Sequence, residues 1–261
     1  MSCELVTISN FTPGDWVQVL GSDVPLRCWW CDPDAKKHEI EDINTRRRVV
    51  LVLPEVFGIN HWVRSVAERV AEAGVPALVM PLFARTAPTL DLGYNDSDLT
   101  EGRRHKDATT TDQMLADVRV SIAWIQARYP SAAVTVIGFC FGGHAAFLAA
   151  TLPSVMSTFN YYGAGVTQMR PGGGPPSLEL LPQIEGRLVC LFGTSDPLIP
   201  AEHRSALKEA LQLQDSVGKR LRAVEVEGAD HGFMCEARSS FDAQASQLGW
   251  NLLWKDLGTC V

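Results

Sequence analysis

The chain has 261 residues, 46% of them hydrophobic and 20% charged, which excludes a disordered or fibrous protein. It carries 23 basic and 30 acidic residues, a net charge of −7, and this argues against nucleic acid as the main partner. A chain of this length suits one α/β domain spanning 1–261, with a core that needs neither disulfide nor metal.

No apolar run reaches the roughly 20 residues of a membrane helix. Residues 1–10 include Glu4 and lack the basic and apolar regions of a signal peptide. The expected location is therefore the cytoplasm, and the expected partner is a small molecule, neither nucleic acid nor membrane. Seven cysteines is an odd number, and their spacing suggests no disulfide framework.

In chain order, residues 5–8, 16–20 and 24–30 read as short strands separated by turns at Pro13-Gly14 and Gly21-Ser22-Asp23, an antiparallel edge hairpin. Residues 32–47 are charged, and the basic run Arg46-Arg47-Arg48 just before the next strand reads as a solvated strand entrance. Residues 49–53 (VVLVL) are a β-branched run suited to a strand buried on both faces. Asn60 caps a helix reaching about Ala73, with Val63, Val66, Ala67 and Val70 on one face and Gly74 beyond its end. Residues 76–80 (PALVM) form a second buried strand. The stretch 81–108 is too long for an ordinary connection, so it is functional or carries a short helix. Thr111 or Asp112 caps the next helix. Residues 133–139 form a strand, 141–152 a helix, and 157–162 and 188–192 further strands, with the Gly/Pro-rich 170–176 as a surface loop. Helix 201–213, strand 221–226 and helix 240–257 complete the chain. This alternation predicts a mostly parallel sheet covered by helices on both faces, with antiparallel strands at its N-terminal edge.

The chemistry concentrates in residues 136–143, VIGFCFGG. A buried strand ends at Gly138, Cys140 follows, and Gly142, Gly143 and Ala145 open a helix. This is a G-x-nucleophile-x-G elbow with cysteine in the serine place, at a helix N-terminus whose free N–H groups favour a thiolate. Such a nucleophile needs an acid and then a histidine, in that order. Asp196 follows the strand 188–192 in FGTSDPLIP, and His231 follows the strand 221–226 in EGADHGF. Both lie past the C-terminal ends of their strands, where parallel sheets build their sites. Asp230 is the competing acid, but as an immediate neighbour of His231 its side chain points elsewhere.

Weaker constellations accompany this one. Cys28 and Cys31 form a C-x-x-C with no second ligand pair, and on one strand they face opposite sides. His61 and His144 read as helix-end or supporting residues. No P-loop or dinucleotide fingerprint is present, so no cofactor is expected.

From residue 49 to the C-terminus the chain resembles the cysteine-dependent dienelactone hydrolase family of the α/β-hydrolase superfamily. The carriers are PEVFGIN (54–60), MPLFAR (80–85), GFCFGG (138–143), YYGAG (161–165), GTSDPLIP (193–200) and ADHGF around His231. The resemblance implies an α/β-hydrolase fold and two-step acyl transfer through a thioester at Cys140, with His231 as base and Asp196 as its orienter. Backbone N–H groups of Phe141 and Val56 would form the oxyanion hole. Glu55 would sit beside the resting thiol and keep it neutral until substrate arrives. Arg85 matches an arginine that holds a substrate carboxylate. Where the family places a second one, four residues past the histidine, this chain has Cys235, and Arg238 could replace it only if the loop shifts. The substrate implied is a small lactone or ester, acidic if Arg85 reads charge. Other readings are a carboxylesterase or thioesterase on the same triad, or a non-catalytic protein whose Cys140 binds a ligand or senses redox state.

Overall fold

A computed structural model describes residues 14–33 and 47–259; the strand expected at 5–8, residues 34–46 and the last two residues lie outside them. Eight strands form one sheet, β1 (Asp15–Val19), β2 (Leu26–Cys31), β3 (Arg48–Leu53), β4 (Ala77–Val79), β5 (Ala133–Phe139), β6 (Val155–Tyr161), β7 (Arg187–Gly193) and β8 (Leu221–Val226), in the order β1-β2-β4-β3-β5-β6-β7-β8. β1 pairs antiparallel with β2, and β2 antiparallel with β4; every other pairing is parallel. The edge hairpin and the parallel centre are those the turn signals and β-branched runs predict.

The central strands are apolar on both faces because both faces are covered. Val50 and Val52 of β3 pack under α1 (His61–Glu72), beside Trp250 and Leu253 of α6 (Ala243–Leu257). Val49, Leu51 and Leu53 point the other way, toward Met114, Val118 and Ile122 of α3 (Thr111–Arg128) and Ala145 and Leu148 of α4 (Phe141–Ala149). Each of these strand residues is fully buried, at about 1.5–3 kcal/mol of transfer free energy apiece. Cys28 belongs to the second cluster and Cys31 to the first, so the C-x-x-C pair is split across the sheet.

Two helix starts differ from simple reading, and the displaced Thr111 and Ser240 have other work. The cap of α3 is Thr110, in a reciprocal box with Gln113, while Thr111 is buried and donates its hydroxyl to Pro171 O at 2.9 Å. α6 begins at Ala243 under Asp242; Ser240 instead donates its hydroxyl to His231 O at 2.6 Å. The loop 170–176 runs into a short 3-10 helix, Ser177–Gln183, whose buried Ser177 bonds the His144 ring at 2.7 Å. The long stretch 81–108 does carry a helix, α2 (Asp96–Asp107). α5 (Ala201–Gln214) packs against β8. Arg48 is no solvated entrance residue: it donates to Thr135 and Ser157 and pairs with Asp256, while Arg47 lies over the Tyr129 ring.

Candidate active site

Four parallel strands deliver their following loops to one edge of the sheet: β3 leads to Glu55 and Val56, β5 to Cys140, β7 to Asp196 and β8 to His231. Cys140 stands between β5 and α4 with φ 53° and ψ −119°, outside the regions a non-glycine residue normally occupies. The turn is possible only because its neighbours lack side chains. A Cβ at Gly138 would lie 1.9 Å from Gly142 O, and one at Gly142 would lie 2.2 Å from Leu53 O. The Cys140 N–H donates to Tyr161 O at 3.1 Å, which pins the elbow to β6. Phe141 is the first residue of α4, so its N–H has no partner within the helix.

His231 Nδ1 and Asp196 Oδ2 are 2.8 Å apart, and both residues are buried. The other carboxylate oxygen of Asp196 accepts from Leu198 N–H at 2.8 Å, so the acid both caps its turn and holds the imidazole. Asp230 is exposed, and its carboxylate accepts from the N–H of His231 at 2.6 Å, turned away from the ring. His231 Nε2 is buried and has no other hydrogen-bond partner, and Cys140 is the group that acts on the ring most strongly. Burial pulls the His231 pKa down, but Cys140 and Asp196 push it up more strongly, to about 10.

Glu55 is buried, and burial raises its pKa, opposed by Arg238 and His231. Its Oε1 accepts from Arg238 Nη1 at 2.9 Å, and its Oε2 has no partner. Arg238 reaches the site through a run of turns: Cys235 N–H donates to Gly232 O, Arg238 N–H to Cys235 O, and Phe241 N–H to Arg238 O. Positions 235 and 238 are therefore one turn apart and share a side. The guanidinium then lies against Gly232, where a Cβ would come within 2.6 Å of Arg238 Cζ.

Arg85 requires a correction. Its guanidinium is committed to Asp117 on α3, at 2.7 Å, and to Asp23 and Ser22 in the β1–β2 turn. Two carboxylates neutralise it, and the guanidinium on which Glu55 and Cys140 act is that of Arg238. Cys235 is buried in the core, with its thiol pushed up to about 12 by burial. His144 is likewise structural: both ring nitrogens are bonded, to Ala164 O and Ser177 Oγ, and burial lowers its pKa to about 4. His61 is an exposed first residue of α1, on the rim of a surface cleft with Trp62, Tyr94 and Glu236. Among the described residues no three His, Cys, Asp or Glu side chains could gather a metal, and no helix is long and apolar enough to cross a membrane.

One residue at the site escaped sequence reasoning. Tyr162, just past β6, has φ 41°, stacks edge-on to the His231 ring at 5.2 Å, and buries a hydroxyl with no partner. The motif YYGAG contains it, but a tyrosine at a strand end gives no sign of facing a site.

The chain is similar to known proteins in sequence and in fold. The profile described as "Dienelactone hydrolase family" matches residues 39–260. A Synechocystis protein named "Putative carboxymethylenebutenolidase" is 37% identical over 204 residues, 77% of this chain and 82% of that one. The carboxymethylenebutenolidase of Pseudomonas putida is 26% identical over 203 residues, 77% of this chain and 80% of that one. A Klebsiella pneumoniae crystal structure named "Putative Dienelactone Hydrolase" superposes with a TM-score of 0.76 at 22% identity, covering 94% of this chain and 98% of that one.

Proposed function

The chain belongs to the dienelactone hydrolase family and is a hydrolase of ester bonds, and we propose that it works through Cys140 as nucleophile and a thioester acyl-enzyme, on small lactones or esters that carry a negative charge. The observation that carries the reading is the meeting of a strained Cys140 with a buried His231–Asp196 pair at 2.8 Å.

The steps follow from the groups present. The thiol proton passes to His231 Nε2, and Asp196 keeps the other ring nitrogen protonated and supports the imidazolium. Sulfur adds to the carbonyl carbon while the carbonyl oxygen takes up negative charge against the Phe141 and Val56 amides. The carbon–oxygen bond of the ester breaks, and the leaving oxygen takes the proton from Nε2. For a lactone that oxygen stays on the acyl group. Water then attacks the thioester, giving its proton to His231, and the carboxylic acid leaves as Cys140 recovers its hydrogen.

Glu55 and Arg238 set the resting state and the specificity. A carboxylate beside Cys140 opposes a lone thiolate, and Arg238 partly neutralises that carboxylate. An acidic substrate competes with Glu55 for the guanidinium, which binds carboxylates by charge-assisted hydrogen bonds. Charge on the substrate is thereby read at Arg238.

The test is chemical. Incubating the enzyme with an activated ester and quenching in acid leaves an acyl adduct on the peptide containing Cys140, visible by mass spectrometry. Cys140→Ala loses on the order of 10⁴ in kcat. An alanine variant with near-native ester hydrolysis removes the proposal.

A further inference from the structure

The mechanism accounts for two of the three unpartnered buried atoms around Cys140. His231 Nε2 carries the proton, and Glu55 Oε2 belongs to the carboxylate that faces Arg238. The third, the Tyr162 hydroxyl, has no task in that scheme. It is fully buried, and it sits on one of three non-glycine residues with positive φ among those described; Cys140 is another. Its backbone is fixed by a hydrogen bond from its N–H to Leu191 O at 2.7 Å, and its ring is wedged between His231 at 5.2 Å and Phe233 at 5.1 Å. Phenylalanine would fill the same space without burying an unsatisfied hydroxyl. A strained backbone and an orphaned hydroxyl at one position are two costs that packing does not require.

We propose that Tyr162 is a specificity-determining residue whose phenol donates a hydrogen bond to the substrate's carboxylate, beside the guanidinium of Arg238. β6 lies between the strand that leads to Cys140 and the strand that leads to Asp196, and the residue that leaves it sets its ring against His231 at 5.2 Å. Burial keeps the phenol protonated, and Glu55, Cys235, Arg238 and Cys140 are the ionisable groups that act on it. A protonated phenol next to a guanidinium makes two donors of different reach. A carboxylate has two oxygens to accept from them. Neither Glu55 nor any other protein group takes the phenol's hydrogen in the resting enzyme, which leaves it available to the ligand.

This inference rests on the acidic-substrate reading above, and its test separates the two. Hydrolysis of 4-nitrophenyl hemisuccinate and of 4-nitrophenyl butyrate is compared in the wild type and in Tyr162→Phe. The ratio of kcat/KM, acidic over neutral, falls on the order of 10- to 100-fold, the range for a hydrogen bond to a charged group. Binding of succinate, which has no ester to cleave, is measured by calorimetry on the same two proteins, and Kd rises about 10-fold or more in the variant. That second measurement holds whether or not Cys140 is the nucleophile. The thermal midpoint of Tyr162→Phe equals or exceeds that of the wild type, because the hydroxyl satisfies nothing in the free protein. Equal losses on both esters, an unchanged succinate Kd, or a lowered midpoint would each overturn the assignment and make the phenol a packing group.

Discussion

Arg238 Nη1 donates to Glu55 Oε1 at 2.9 Å, joining a turn after β8 to the loop after β3 across 183 positions of sequence. The pair puts one carboxylate within electrostatic reach of His231 and one guanidinium within reach of Cys140. Removing Arg238 leaves the Glu55 carboxylate with His231 as its remaining positive neighbour.

For Arg238→Ala the expected result is a loss of stability that depends on pH. Glu55 without its guanidinium has its burial opposed by His231 alone, so its folded pKa rises further above the ordinary carboxylate value. A folded pKa above the unfolded one makes the ionised group destabilising, so the penalty is small below about pH 4 and grows as pH rises. Urea unfolding of wild type and variant at pH 5 and pH 8 measures it, with the larger gap at pH 8. The same variant loses preference for an acidic over a neutral ester.

Arg85→Ala is expected to behave in the opposite way. It strands the Asp117 carboxylate, which is 1% exposed, at a cost near the lower end of the roughly 3–5 kcal/mol for breaking a buried pair. The acidic-over-neutral selectivity stays at the wild-type ratio. A selective loss on the acidic ester would return Arg85 to the substrate.

Asp196→Asn is expected to cost on the order of 10⁴ in kcat, because the asparagine amide cannot hold the required tautomer. Asp230→Asn is expected to cost less than about tenfold, since that carboxylate serves a backbone N–H. The two rates on one ester decide which acid orients His231.

Cys140 and Asp196 push the His231 pKa up to about 10 from the ordinary 6.5, so the ring proton is held more tightly in the folded state than in the unfolded one. Its contribution to stability is complete below about pH 6.5 and is lost as pH rises through about 10. The difference in unfolding free energy between wild type and His231→Gln therefore narrows across that window. A difference that widens with pH contradicts the assignment.

Gly138→Ala puts a methyl 1.9 Å from Gly142 O, a backbone atom that cannot swing aside. The expected cost is about 3 kcal/mol or more, with activity lost because the elbow that holds Cys140 must open. Chemical unfolding and ester turnover read the two effects separately.

The elements that local chemistry controls were legible in the sequence. The strand at 133–139 and the helix capped by Asn60 are where patterning places them, because burial on both faces and a side-chain cap are written in adjacent residues. The elbow was legible for the same reason: Gly-x-Cys-x-Gly between a strand and a helix is a local steric requirement. The order Cys140, Asp196, His231 was expected from the elbow, which calls for an acid and then a histidine, and from the place of both past strand ends, since a parallel sheet brings successive C-terminal edges to one side. What the sequence could not supply was the destination of long side chains. Arg85 lies in a fitting motif, yet its guanidinium goes to Asp117 and Asp23, which no local pattern links to it. Arg238 sits three residues past the expected position, and only successive tight turns after Gly232 carry it to Glu55. Tyr162 faces the site because β6 lies between β5 and β7 and its backbone is held at φ 41°, a conformation fixed by neighbouring strands and not by tyrosine. Backbone elements are set by contacts a few residues apart. Which charge meets Glu55 is set by contacts between distant loops, and those exist only once the sheet has closed.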